Sequence, residues 1–357
     1  MTFECSLLER TLADNLSWNK ARIKFLARFL IALLAAKTVN LQQLAVFFAG
    51  TAKTESNYKR IKRFLRFFEI NEAELAQMMV RLMKLAPPFV ITIDRTEWQL
   101  GKRWVNVLML AIVHKGVAVP LLWMVFDKKG CSSDAERKMI LEKYLNIFPA
   151  SSIKFVTADR EFASRGWLDY LAEKKIGFCL RIKANVRITD KSGKRLLRAS
   201  RILQTAKLET PVNCRRKRKL WNHWVWLSGV RKANGEQILI VSAEEGGKAL
   251  SNYCLRWQIE TLFGVLKTRG FRLEDTHLTE TDRVSRLLAL LAIAFCWAIK
   301  SGEFVCRQKP LKRKKHGRLE KSIFRAGLDI LRRLFCRPSN KGQKRDKKLF
   351  ISFLSRT

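Results

Sequence analysis

Phe89-Val90-Ile91-Thr92-Ile93-Asp94 follows the pair Pro87-Pro88 and changes the period of the chain. Residues 1–85 contain no proline and read as helices. The two prolines end that pattern, and a short apolar run rich in β-branched residues begins, as in a strand buried on both faces and ending at Asp94. The same pattern returns in Ile153-Lys154-Phe155-Val156-Thr157-Ala158, ending at Asp159, and again from Ile176 to Leu180. Val105 to Val113 and Val117 to Phe126 flank His114-Lys115-Gly116 and read as a hairpin beside the first strand. Ser132 or Ser133 can cap a helix with Glu136 near its first turn, running to about Ile147, and Phe162 to Glu173 reads as another.

Three strands in a meander, then helix, strand, helix and strand, is the order of a ribonuclease H-like core, although the alternation also admits other α/β folds. Upstream, Phe25 to Ala36 and Leu41 to Phe48 read as apolar helices; Gly50 breaks the pattern, and Thr54-Glu55-Ser56-Asn57 opens a helix to about Phe68. That helix carries Arg60 and Arg63 among six basic or aromatic polar side chains, so it fits the second helix of a DNA-binding helix-turn-helix, or a basic solvated helix. From Arg181 to Leu250 the chain turns strand-rich, basic and aromatic, with Arg215-Arg216-Lys217-Arg218-Lys219, then Trp221, Trp224 and Trp226. Asn234-Gly235 between Val230 and Ile238 predicts a two-residue hairpin turn. Val284 to Ile299 reads as a buried helix, and residues 301–357 hold 18 basic side chains against four acidic, with an amphipathic helix expected from Leu319 to Phe335. The expected layout is a helical DNA-binding domain (1–86), an α/β core in two parts (87–184 and 251–300), a β-rich insertion (185–250) and a basic helical region (301–357).

Lys and Arg number 70 against 31 Asp and Glu in 357 residues, a formal net charge of +39. Such an excess calls for a polyanion, with nucleic acid first and an anionic membrane surface second. Eight cysteines form no Cys-x-x-Cys pair and the four histidines are scattered, which argues against zinc. Cys179, Cys254 and Cys296 lie in apolar runs and read as small core residues. The first residues carry no basic-then-apolar leader, and the apolar run Leu287 to Ile299 falls short of the roughly 20 residues that span a bilayer. A soluble protein of a reducing compartment, without a membrane partner, is expected.

Tyr253-Cys254-Leu255-Arg256-Trp257-Gln258-Ile259-Glu260 continues through Leu266 to Lys267. Wound as one helix, it brings Tyr253, Arg256, Glu260 and Lys267 into a stripe about 60° wide and sets Leu255, Ile259, Leu262 and Leu266 opposite. An amphipathic helix accounts for the leucines but not for four functional side chains in one line. Alone, Asp94 or Asp159 would serve as a turn or cap residue. Together, two strand ends and a helix can converge three carboxylates, and hard oxygen donors of this kind suit Mg²⁺ or Mn²⁺ in phosphoryl transfer.

These residues resemble the cut-and-paste DDE transposases of bacterial insertion sequences, in the insertion-sequence-four group. Its Tyr-x₂-Arg-x₃-Glu-x₆-Lys signature is matched by Tyr253, Arg256, Glu260 and Lys267. Its two aspartate blocks resemble Ile93-Asp94-Arg95-Thr96-Glu97-Trp98 and Ala158-Asp159-Arg160-Glu161-Phe162, and the likeness spans roughly residues 40 to 300. The resemblance implies that Asp94, Asp159 and Glu260 bind Mg²⁺ or Mn²⁺ and that Tyr253, Arg256 and Lys267 grip phosphates of the element end. It also implies a flipped base stacked on a tryptophan of the insertion, with Trp221, Trp224 and Trp226 as candidates; burial in the insertion core is the plainer reading for each. For Glu97 and Glu161 a salt bridge to a neighbouring Arg is expected rather than a metal.

The implied protein is a transposase that binds double-stranded DNA, acts as a homodimer on paired ends, and resides in the bacterial cytoplasm at the nucleoid. A catalytically inactive DNA-binding regulator and a ribonuclease H-like nuclease are the alternatives.

Overall fold

The structure, a computed structural model, describes residues 2–48, 50–315, 317 and 319–335. The basic stretch from residue 336 onward lies outside the described residues. The N-terminal part is helical: α1 (Thr2–Ala13), α2 (Lys20–Ala36), α3 (Leu41–Val46), α4 (Thr54–Phe67) and α5 (Glu72–Met83). Asn19, Asn40 and Asn71 cap α2, α3 and α5 by accepting from backbone N–H groups in the first turn. α4 buries Ile61, Phe64 and Leu65 and leaves Lys59, Arg60, Lys62, Arg63 and Arg66 exposed.

Among the described residues eleven strands form one mixed sheet. β1 (Phe89–Leu100), β2 (Arg103–His114) and β3 (Val117–Phe126) form the meander; β4 (Ile153–Ala158) and β5 (Phe178–Ile182) follow, giving the order β3-β2-β1-β4-β5. The turn between β2 and β3 has Lys115 at φ 45° and Gly116 at φ 87°, the two positive φ values that a tight hairpin needs. α6 (Asp134–Leu145) starts in a capping box of Ser133 and Glu136, and Ser164 caps α7 (Arg165–Glu173).

One strand end differs from expectation. β1 does not stop at Asp94 but runs on with β2 as far as Leu100, because the antiparallel hairpin outlasts the parallel pairing with β4, whose last pair is Ile93 with Ala158. Asp94 therefore stands where β1 leaves β4, and Asp159 at the true end of β4.

Short strands β6 (Arg187–Thr189), β7 (Leu196–Arg198), β8 (Val212–Asn213) and β9 (Arg218–Leu220) precede β10 (His223–Arg231) and β11 (Gln237–Ser242). β11 pairs antiparallel with β5, from Leu239 opposite Ile182 to Ser242 opposite Cys179, so the basic aromatic strands continue the central sheet. The Asn234-Gly235 turn is longer than predicted. Lys232 still donates to the carbonyl of Glu236, at 2.7 Å, which leaves a three-residue tip with Gly235 at φ 83°.

α8 (Ala249–Cys254) and α9 (Trp257–Gly264) lead to α10 (Thr281–Gln308) and α11 (Ile323–Phe335), the latter beginning four residues later than predicted. α10 is 28 residues long, longer than its apolar run, and is apolar enough by composition to cross a membrane. In this fold it is the central core helix: 83% of its most apolar window is buried, against α2, α4, α5, α11 and β3. Arg286 of α10 donates to the carbonyls of Leu65 (3.1 Å) and Phe68 (2.7 Å), capping the end of α4 and fixing the basic helix on the core. Cys179 and Cys296 are buried as expected, whereas Cys254 is exposed, because α8 buries its neighbour Tyr253 instead.

Candidate active site

Ile91 and Ile93 are fully buried, which anchors β1 in the core and brings Asp94 to the end of the β1–β4 pairing. Asp159 follows fully buried Ala158, and a 3₁₀ turn over Arg160–Phe162 begins directly after it. α9 buries Ile259, Leu262 and Phe263, and packs on β1, β2 and β3. The apolar face predicted for this segment is thus real, apart from Leu255, which is only half-buried.

The segment is not one helix. It breaks between α8 and α9 at Leu255-Arg256, and residues Val265–Arg269 form a π-helical turn. A π turn rotates less per residue than an α-helix, so Lys267 leaves the predicted stripe. Its ammonium donates to the backbone carbonyl of Glu97 at 3.0 Å and pairs with Glu274 at 2.7 Å.

Arg256 is the hub. Its side chain is only 7% exposed; one terminal nitrogen lies 3.2 Å from Asp94 Oδ2 and the other 2.7 Å from Glu260 Oε1. Burial opposes its charge, but Tyr253, Asp94 and Asp159, with the hydrogen bond to Glu260, hold its pKa above the usual value. Its Nε is buried without a hydrogen-bond partner. Tyr253, also buried, donates its hydroxyl to Asp159 Oδ1 at 3.0 Å, and burial pushes its pKa up to about 12. Tyr253 and Arg256 are thus buried over the carboxylates, and of the four signature residues Glu260 alone keeps a mostly exposed side chain.

Burial pushes the Asp94 carboxyl up to about 6; nearby Glu161 and Asp159 add to this, while the Arg95 N–H and Arg256 oppose it. A carboxylate this desolvated is short of positive charge. Asp94, Asp159 and Glu260 offer hard oxygen donors only, so the chemistry of the set fits a divalent cation such as Mg²⁺ or Mn²⁺. Among the described residues no three metal-ligating side chains are drawn into one cluster, and Arg256 stands between Asp94 and Glu260.

Glu97 and Glu161 are engaged as expected, both by Arg95, at 3.0 Å each. Trp224 corrects the core reading: it is 57% exposed on β10, while alternating Val225 and Leu227 face inward. Trp226 shares the face of Trp224 and is half-buried, with Lys217 5.9 Å from its ring centre. Trp221 packs partly against the core, and Arg60 and Arg63 are exposed on α4.

Two neighbours of the site escaped sequence reasoning. Trp257, 46% exposed, sits edge-on to Tyr253 with ring centres 6.2 Å apart. Arg181 on β5 acts electrostatically on Asp159 and Tyr253 and pairs with Glu236 at 2.5 Å. Its signal was available: like the aspartates, it is a charge closing an apolar strand run.

A family model described as the transposase DDE domain matches residues 86–297, a span that contains β1, β4, α8, α9 and every residue of the carboxylate site. No curated protein matches the chain. With more than half of its length covered by that model, the chain belongs to the transposase DDE domain family.

Proposed function

We propose that the protein is a cut-and-paste transposase of the insertion-sequence-four type, built on a ribonuclease H-like core. The observation that carries this reading is the bridge from Arg256 to Asp94 and Glu260, with Tyr253 on Asp159. Side chains 162 and 94 residues apart in the chain meet there, inside the span matched to the transposase domain. The strand order β3-β2-β1-β4-β5, with β1–β3 antiparallel and β1, β4 and β5 parallel, supports the ribonuclease H-like reading.

Asp94, Asp159 and Glu260 would hold Mg²⁺, or Mn²⁺, which supplies Lewis-acid stabilisation for in-line displacement at phosphorus. Arg256 is suited to exchange its two carboxylates for a phosphate of the element end, since a guanidinium binds either group through paired N–H donors and its Nε is still unpartnered. Tyr253 and Lys267 would hold adjacent phosphates. Water would attack the phosphodiester at the element end, releasing a 3′-hydroxyl, and that hydroxyl would then attack a phosphodiester of the target duplex. Handling two ends together calls for at least a dimer. Arg60 and Arg63 on α4 would contribute to end recognition, and Trp224 with Trp226 would offer a face for an unstacked base.

Sequencing the DNA beside the gene for paired inverted repeats supplies the substrate. The protein with Mg²⁺ should nick that duplex at the repeat ends. Asp94→Ala, Asp159→Ala and Glu260→Ala should abolish nicking while leaving gel-shift binding intact. Binding without cleavage by the unaltered chain would point to a regulator, and cleavage confined to RNA would point to a ribonuclease.

A further inference from the structure

Asp94 and Asp159 sit where two strands part. The parallel pairing of β1 with β4 ends at Ile93 and Ala158; beyond it β1 stays with β2, and β4 gives way to the 3₁₀ turn Arg160–Phe162. No further β1–β4 ladder pair fixes the two aspartates relative to each other. The gap is crossed instead by side chains one step further out. Arg95 follows Asp94, Glu161 follows the residue after Asp159, and the Arg95 Nε donates to both Glu161 oxygens, at 3.0 and 3.3 Å.

Both halves of this pair are held from behind. Arg95 also meets Glu97 at 3.0 Å, and Glu97 accepts from Asn106 Nδ2 at 3.3 Å and from the Gly130 N–H at 3.1 Å. The Glu161 carbonyl accepts from Arg137 at 2.9 Å, and Arg137, only 4% exposed, is fixed in turn by Ser132 and Asp134 at the start of α6. The Arg95 N–H donates to Asp94 Oδ1 at 2.8 Å, so a shift of Arg95 would move Asp94 directly. Alternation along β1 sends Arg95 and Glu97 to the face opposite Asp94, which leaves the Asp94 side clear for Arg256.

We propose that Arg95 and Glu161 are positioning residues: their ion pair is a strut that fixes the separation of the Asp94 and Asp159 carboxylates. This rests on the reading of Asp94 and Asp159 as cation ligands. Removing either end of the strut should let the two carboxylates drift apart and weaken their joint hold on a divalent cation, with no loss of DNA contacts.

The test is Mn²⁺ titration of the full chain, followed by the electron paramagnetic resonance of free Mn²⁺, beside duplex-DNA binding in EDTA and melting curves. Arg95→Met and Glu161→Gln should each weaken Mn²⁺ binding about 10–100-fold, the usual cost of losing a support behind a metal ligand, with DNA binding unchanged. Arg95→Lys, which keeps the charge but loses the paired geometry, should fall between. Unchanged Mn²⁺ affinity in folded Glu161→Gln overturns the strut, and this near-isosteric variant decides the matter should Arg95→Met fail to fold. Tighter binding in Arg95→Met also overturns it, since a freed Glu161 would then be acting as a ligand. Asp94→Ala and Asp159→Ala serve as controls: if neither weakens Mn²⁺ binding, it is the cation-ligand reading that fails.

Discussion

Arg256 reaches Asp94 at 3.2 Å across 162 residues of sequence, and the same guanidinium holds Glu260 at 2.7 Å only four residues away. One buried cation thus bridges two carboxylates from different elements. Its removal strands Asp94 in a nearly dry setting.

Arg256→Ala should consequently destabilise the metal-free protein by about 1–3 kcal/mol, the cost of leaving a buried polar group unpaired. Lys267→Ala should cost at most about 1 kcal/mol, because its partners are a carbonyl and the half-exposed Glu274. Urea melts in chelator compare the two. Equal, negligible losses would mean that Arg256 is solvated.

Asp94 gives stability a pH dependence of definite sign. Its pKa rises from 3.8 to about 6 on folding, chiefly through burial, so the folded chain binds the proton more tightly than the unfolded chain. The resulting penalty is absent below about pH 4, grows between the two values and is complete above about pH 6. Two units correspond to about 3 kcal/mol, and the remaining exposure of the side chain reduces the measurable part. Asp94→Asn should therefore be more stable than the parent by roughly 1–3 kcal/mol at neutral pH without metal, the difference closing near pH 4. Denaturation midpoints across that range check it; a difference that widens in acid would reverse the sign.

Trp224 and Trp226 share a face of β10 but not an exposure. Trp224→Ala should leave stability within about 0.5 kcal/mol, as for other surface changes. If an unstacked base rests on it, affinity for an element end with an unpaired base should fall by about 1–3 kcal/mol. Trp226→Ala should be the more costly to the fold. A melting shift from Trp224→Ala as large as that from Trp226→Ala would argue against the exposed platform.

A net charge of +39 predicts duplex affinity that falls by orders of magnitude between about 50 and 200 mM salt. Arg60→Ala and Arg63→Ala, on the exposed side of α4, should weaken binding to the element end more than to unrelated duplex. Equal loss on both would assign them to phosphate contact alone.

Sequence periodicity reveals what a residue's own neighbours decide. Asp159 could be placed at a strand end because an apolar run and a turn bracket it, and the β2–β3 turn because two apolar runs flank His114-Lys115-Gly116, whose glycine accepts the positive φ found there. It fails where a distant partner decides. β1 outruns Asp94 because β2 continues to pair with it, and the π turn that carries Lys267 is invisible to any pattern read at 3.6 residues per turn. The burial of Arg256 is the sharpest case. A cation on the polar side of an amphipathic segment reads as solvated until Asp94 is known to lie across from it.

The continuation of the sheet from β5 into β11 bears on how small a working version of this protein could be made. A strand-rich excursion joined by loops alone could be trimmed away. Here, excision of residues 185–245 would strip a hydrogen-bonded neighbour from β5 and bare an apolar, unpaired edge, a template for edge-to-edge self-association. Such a minimised chain should form aggregates on size-exclusion chromatography even with Asp94, Asp159 and Glu260 all present. A hydrophilic capping strand designed against β5 would be the remedy to try first.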